Sequence, residues 1–250
     1  MRLALPARAK LNLDLEVVGR NPDGFHDLRT TFQAIDLHDL LEIERADQTS
    51  LTVSGFEIDE SRNSVLDAQH ALQSACGRKL PARVHIEKRI PPGSGMGGAS
   101  SDAAALLRAI KTIYGLDVDL TPVARQLGAD VPFFLVGGRA RAEGRGEQLT
   151  RLPREAAWFA LAWPGIELST AAVYGAWDAV RGEGPNQLRQ AAEHVEPRLK
   201  QFAERLGPGW QMTGSGSAFF IQTDTEDGAR NAAAKLVGWS AVTCAVSEWT

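Results

Sequence analysis

The stretch from Pro91 to Asp102 constrains this chain more than any other. Upstream of it, Ala82 to Ile90 reads as a strand, with Val84, Ile86 and the aliphatic stem of Lys88 on one face. Downstream, Ala103, Leu106, Leu107, Ile110 and Ile113 recur at helical spacing, and Gly115 stands where a C-terminal cap glycine belongs. A glycine-rich loop therefore runs into a helix N-terminus. Gly93, Gly95, Gly97 and Gly98 are more glycine than a capping turn needs. Glycine lets a backbone approach a ligand closely, and the first amides of a helix are unpaired and carry the positive end of its dipole. Phosphate is the usual occupant of such a place. Ser100 and Ser101 can cap the helix or bond the phosphate.

Two other phosphate loops are excluded. A P-loop needs a Lys directly after its second glycine, and none follows here. The dinucleotide pattern G-x-G-x-x-G is matched by Gly93, Gly95 and Gly98, but its context is missing. The helix leads to Thr121-Pro122 and a short second helix, not to a buried strand ending in an acidic residue.

The chain of 250 residues can bury a large core, as one two-lobed domain or two smaller ones. Its net charge of −4, without a basic patch, argues against nucleic acid as a partner. Cys76 and Cys244 form neither a disulfide framework nor a metal spacing, which fits a reducing cytoplasm. Met1 to Lys10 lacks the apolar core of a signal peptide, and no apolar run is long enough to span a membrane. Nothing points to an obligate protein partner.

Along the chain, Leu11, Leu13, Leu15 and Val17 alternate with Lys10, Asn12, Asp14 and Glu16, a strand with one polar face. Asn21 to Gly24 is a turn. A second strand region, Phe32 to Glu44, is expected to break over Asp36 to Asp39, and Leu51 and Val53 make a third strand. Ser64 to Cys76 reads as a helix. Thr121 is expected to cap a short helix with Pro122 at its first position, closed by Gly128. Val131 to Val136 is a short apolar segment, and Arg139 to Leu152 is hairpin-like. A buried strand at Trp158 to Trp163 precedes helices at Thr170 to Val180 and Gln187 to Leu206. The remainder reads strand, helix, strand: Ala218 to Gln222, Glu226 to Val237 and Ala241 to Val246. Early hairpins with interleaved helices indicate α+β, with a lobe boundary near Leu152 to Trp158.

Several groups can carry chemistry, each beside a plainer reading. Lys10, taken alone, is a solvated lysine on a sheet edge. Asp130 is either a helix N-cap or a catalytic carboxylate. His26 is a structural hydrogen-bonder unless its neighbour Phe25 offers a stacking face to a planar ligand. Thr213 to Ser217 is a second glycine turn, either a simple turn or a wall packed against the phosphate loop.

Three stretches together resemble one family. Pro6 to Leu13 is similar to the N-terminal motif of GHMP-type small-molecule kinases. Pro92, Gly93, Ser94, Gly95, Met96, Gly97, Gly98, Ala99, Ser100 and Ser101 resemble their ATP phosphate loop, with Met96 where leucine is usual. Thr213 to Gly216 resembles their third motif. Their order and spacing fit along nearly the whole chain. Asp23 to Leu28 and Gly128 to Pro132 are similar to the branch that phosphorylates the 2-hydroxyl of a cytidyl-diphosphate-linked methylerythritol in non-mevalonate isoprenoid biosynthesis.

The resemblance implies a two-lobed α+β fold. Residues 1–153 would form a lobe like ribosomal protein S5 domain 2, holding ATP and the catalytic residues. Residues 154–250 would form a ferredoxin-like lobe completing the substrate site. It implies ATP as co-substrate with Mg²⁺, whose protein ligand stays unassigned, and Lys10 and Asp130 as the catalytic pair. His26 would bond the cytosine, between Phe25 and Tyr174. Asn12 and Thr170 would touch the substrate, and Lys88 and Asn63 would flank the adenine. Phe25 stands where tyrosine is commoner, so stacking survives without a phenol. A GHMP kinase with a mevalonate- or homoserine-like acceptor would share this machinery and differ at Phe25 and His26. A non-catalytic S5-like module for RNA or protein would instead need a basic face.

Overall fold

The computed structural model describes residues 1–57 and 63–249. A long antiparallel hairpin, β1 (Arg2–Arg20) and β2 (His26–Arg45), is the spine of the molecule, joined by the Asn21 to Gly24 turn. Along the edge opposite β1, β2 carries β5 (Arg139–Glu143) over Thr30 to Gln33 and β4 (Ala82–Lys88) over Leu40 to Arg45. β3 (Ser50–Gly55) pairs parallel with β4, and β6 (Gln148–Arg151) closes the hairpin with β5, giving a six-stranded sheet. Four helices pack on this sheet: α1 (Ser64–Cys76), α2 (Gly98–Tyr114), α3 (Thr121–Leu127) and α4 (Val131–Val136).

The second sheet comprises β7 (Trp158–Trp163), β8 (Gln211–Met212), β9 (Phe219–Thr223) and β10 (Trp239–Cys244) in the order β10-β7-β9-β8. With α5 (Thr170–Val180), α6 (Arg189–Val195), α7 (Arg198–Leu206) and α8 (Glu226–Ala233), it is a split β-α-β unit with an extra helix pair. The fold is α+β, as expected. Alternation along β7 divides two cores: Ala160 and Ala162 face the helices, and Phe159 and Leu161 face the first sheet.

β1 belongs to three cores. Ala7 packs under α1 and α2, Ala9 and Leu11 lie between the sheets, and Leu15 and Val17 join the core of the second sheet. Register shifts between Arg8 and Lys10 and between Asn12 and Leu15 re-aim the strand on either side of Lys10 and Asn12. A cut after residue 153 follows the chain but not the packing. Ala245 bridges to Ile35, Glu248 to Gly137, and the Trp249 indole donates to the Phe134 carbonyl at 2.8 Å.

The structure departs from the expected elements in definable ways. β2 runs on through Asp36 to Asp39 across a register shift against β1: His38 and Asp39 pair with Arg8 and Ala7, and the buried Asp39 carboxylate accepts the Arg89 and Ile90 amides at 2.6 and 2.8 Å. β4 ends at Lys88, two residues early. The helix expected from Gln187 to Leu206 is two helices parted at Glu196-Pro197, where proline has no amide to continue the ladder. Thr121 is the first residue of α3, not its cap, and the apolar segment from Val131 is the helix α4.

Candidate active site

A cleft of about 580 Å³ opens where the phosphate loop, β1, the start of α4 and the Thr213 to Ser217 turn converge. Lys10 forms its floor. It is buried, so the sheet-edge reading fails: Lys10 and Asn12 turn into the cleft, while Asp14 and Glu16 further along the strand stay half-exposed. Its ammonium donates to Asn12 Oδ1 at 2.5 Å and to the Gly95 carbonyl at 3.0 Å, and lies 3.6 Å from Asp130 Oδ2. Burial pushes the Lys10 pKa below the ordinary lysine value of 10.5, while the Asp130 charge pulls it up. Asp130 precedes α4 but its side chain caps nothing, so the carboxylate faces the cleft.

Asn12 positions Lys10 from the other side. Its amide nitrogen donates to Thr30 Oγ1 at 2.8 Å while its oxygen accepts from Lys10. Thr170 lines the cleft and shares a 2.9 Å hydrogen bond with Ser215. That contact also brings the Thr213 to Ser217 turn to the cleft wall, which Gly214 and Ser215 line.

The phosphate loop is shaped by its protein neighbours. At Gly95, with φ +78°, a Cβ would sit 2.4 Å from the Thr213 carbonyl, and at Gly97, with φ +76°, 2.6 Å from the Phe134 ring. The second glycine turn thus packs directly on the first. Gly97 is the N-cap of α2 and has no side chain, so the first-turn amides face the cleft with no capping group. Ser100 and Ser101 fall inside the helix, a correction to the capping reading: Ser100 lines the cleft and Ser101 is buried. Met96 is also buried, in the core between the sheets, and its carbonyl accepts the Lys10 amide at 3.0 Å. Pro92, Gly93, Ser94, Gly98 and Ala99 line the cleft.

Lys88 and Asn63 border the same cleft. The Lys88 ammonium is held between Asp39, in a very short contact, and Asp102 Oδ2 at 2.7 Å. Burial alone would lower its pKa; the two carboxylates more than offset this and raise it. Burial in turn lifts Asp102 to about 7. Lys88 therefore serves the scaffold beneath α2, and its ammonium is not free for a nucleotide. Asn63 caps α1 through Oδ1, which accepts the Val65 amide at 3.0 Å, and its buried Nδ2 has no partner among the described residues.

The expected recognition pair adjoins the cleft without lining it. His26 stacks on Tyr174, with ring centroids 5.3 Å apart, and its Nε2 lies 2.8 Å from Asp178 Oδ1. Phe25, at the hairpin tip, is 56% exposed, and the Arg145 guanidinium covers one face of its ring at 3.9 Å. Tyr174 and Arg145 line the cleft. The simple sandwich of Phe25 and Tyr174 is thus modified: each ring already has a partner. Burial and the Asp130 charge raise the Tyr174 pKa, so the phenol stays neutral.

Arg145 and Asp102 were not anticipated as cleft residues. Arg145 sits in an unremarkable Gly-Arg-Gly turn, and Asp102 reads as one more polar residue at a helix start.

Among the described residues no helix is long and apolar enough to cross a membrane. The family model for the GHMP kinases N-terminal domain matches residues 63–138, which include the phosphate loop and Asp130. The 4-diphosphocytidyl-2-C-methyl-D-erythritol kinase of Polaromonas naphthalenivorans is 38% identical, over 87% of this chain and 84% of that protein. The enzyme of the same name from Chromohalobacter salexigens is 37% identical, over 90% and 84%. A crystal structure of 4-(cytidine 5'-diphospho)-2C-methyl-D-erythritol kinase superposes with a TM-score of 0.84 at 36% identity, covering 98% of this chain and 100% of that one.

Proposed function

The chain belongs to the 4-diphosphocytidyl-2-C-methyl-D-erythritol kinase family of GHMP kinases, and from that premise we propose how its cleft works. The enzyme transfers the γ-phosphoryl group of ATP to the 2-hydroxyl of 4-diphosphocytidyl-2-C-methyl-D-erythritol, an isoprenoid precursor, giving the 2-phosphate and ADP. An acceptor of the mevalonate or homoserine kind is not favoured, since the relatives at this level of identity share the cytidyl substrate. Residues 1–153 form the ATP-binding lobe and residues 154–250 complete the substrate site, in a cytoplasmic enzyme.

The observation that carries the mechanism is the Lys10–Asp130 pair, 3.6 Å apart and facing the same cleft as the uncapped start of α2. An alcohol is a weak nucleophile at neutral pH. Asp130 takes its proton as the bond from the 2-oxygen to phosphorus forms and the bond from phosphorus to the ADP oxygen breaks. Lys10 stabilises charge on the reacting oxygens. The α2 amides cradle the donor phosphates, so most of the catalysis is positioning and electrostatics.

Mg²⁺ fits this site as an ion carried by the nucleotide. Among the described residues no three ligating side chains form a cage, and Mg²⁺ commonly keeps its waters and binds through substrate phosphates. Ser100, at the cleft wall, would hold it. Its chemistry there is to neutralise charge on the donor phosphates.

At the acceptor end, His26, Phe25 and Tyr174 hold the cytosine. The base reaches the covered face of Phe25 by displacing Arg145. Asn12 and Thr170 orient the methylerythritol unit, and Asn63 offers its free amide to the adenine. The test is ADP release with ATP, Mg²⁺ and this alcohol, run beside mevalonate and homoserine. Turnover only with the latter two would sink the reading.

A further inference from the structure

The Thr213 to Ser217 turn packs closely on Lys10, Asn12 and the phosphate loop. A Cβ on Gly214 would lie 3.3 Å from Lys10 Nζ, 3.2 Å from Asn12 Oδ1 and 2.8 Å from the Gly95 carbonyl. Asn12, Thr170 and the Gly93 carbonyl bond the turn from the cleft side. From the other side it is bonded by Asn186, buried in the segment between α5 and α6. Its amide nitrogen donates to the Met212 carbonyl at 2.7 Å and to the Gly214 carbonyl at 2.9 Å, and its oxygen accepts the Leu188 amide at 3.0 Å.

The residues on either side of Asn186 grip β1. The Leu15 amide donates to the Pro185 carbonyl at 2.8 Å, the Gln187 amide to the Leu15 carbonyl at 2.9 Å, and the Val17 amide to Gln187 Oε1 at 2.9 Å. One three-residue segment thus ties the strand that carries Lys10 to the turn that packs on it. Asn186 itself is absent from the cleft wall and borders a separate cavity on the far side.

We propose that Asn186 is a positioning residue for phosphoryl transfer, a clasp that sets the Gly214 turn against Lys10 and Asn12. The proposal rests on the reading of Lys10 and Asp130 as the catalytic pair. It concerns geometry alone, because a displacement of about 1 Å far from the reacting atoms can lower a rate about a hundredfold.

The test separates the donors of Asn186 from its acceptor. Asn186→Asp retains the oxygen that accepts from Leu188 and loses both donors, placing a carboxylate against two carbonyls. Asn186→Ser retains one donor. The expected result is a kcat about ten- to hundredfold lower in Asn186→Asp, an intermediate kcat in Asn186→Ser, and KM for ATP within about threefold of wild type, the signature of a lost transition-state alignment. Amide hydrogen exchange at Gly214 to Ser217 should quicken in step. If Asn186→Asp does not fold, Asn186→Ser carries the test. A wild-type kcat, or a change confined to KM, in whichever variant folds overturns the assignment. Asp130→Asn is measured alongside: unimpaired turnover there removes the catalytic pair itself, whereas its loss beside a fully active Asn186→Asp removes only the clasp.

Discussion

The Lys10 ammonium lies 3.6 Å from the Asp130 carboxylate, and the lysine is the buried partner, its side chain 5% exposed against 31% for the aspartate. The carboxylate is thus open to the cleft while its cationic neighbour is fixed beneath it, as the proposed role of general base requires. Asp130→Asn keeps the shape and removes the base. It should lower kcat by about 10²- to 10⁴-fold with little change in ATP affinity, the range for loss of a general base. Steady-state kinetics with both substrates varied would check this.

The depressed Lys10 pKa gives activity and stability opposite slopes at alkaline pH. In the proposed mechanism activity needs the ammonium, so it should fall as pH rises through a value below 10.5. Over the same window the unfolded chain binds more protons than the folded one, so this residue's contribution to stability should rise with pH. Removing the Asp130 charge should move the alkaline limb to lower pH. A pH–rate profile beside denaturant melts would resolve the two trends; a limb at or above the ordinary lysine value would contradict the burial argument.

At the acceptor end, Phe25→Ala should raise KM for the cytidyl alcohol and leave KM for ATP unchanged. Stacking of a base on an aromatic ring is worth about 1–3 kcal/mol. An effect confined to ATP would place Phe25 on the wrong substrate.

Gly97→Ala tests the loop. The new methyl would meet the Phe134 ring at 2.6 Å and the Lys10 stem at 3.3 Å, at φ +76°. The loop must shift, with about 1–3 kcal/mol of stability lost to overpacking and backbone strain and turnover lost with it. Thermal melting and kinetics on the same preparation would show both.

Lys88→Met should leave Asp39 and Asp102 buried without their cation, at a loss of about 3–5 kcal/mol. Adding Asp102→Asn should restore part of it. Chemical denaturation measures both, and a neutral Lys88→Met would mean that the cluster contributes nothing.

These residues also show what a sequence discloses. Local patterns found nearly every element, because alternation, helical spacing and turn glycines act over a few residues: α1, α5 and β7 have the expected bounds. Partnerships over long separations left little trace. The resemblance sets Lys88 beside the adenine, and nothing local shows that its ammonium is taken up by two carboxylates, because these come from residues 49 and 14 positions away. Lys10 looked solvated because the Gly95 carbonyl that buries it lies 85 residues on. Helical spacing ran through Pro197 because periodicity does not register one missing donor. Asn186 carries no local signal; only its bonds to Met212 and Gly214 distinguish it.

The tail that crosses back to the first sheet has a bearing on the order of synthesis. Trp249 holds the carbonyl of Phe134, 115 residues earlier, and its ring fills the space above Gly137. The helix that begins after Asp130 therefore leaves the ribosome long before its brace exists. Contacts of such separation close late. A nascent chain that already contains the phosphate loop, Lys10 and Asp130 still awaits the segment that braces α4, so catalytic competence should emerge only with residues 245–249, well after the sheet that bears the chemistry has formed.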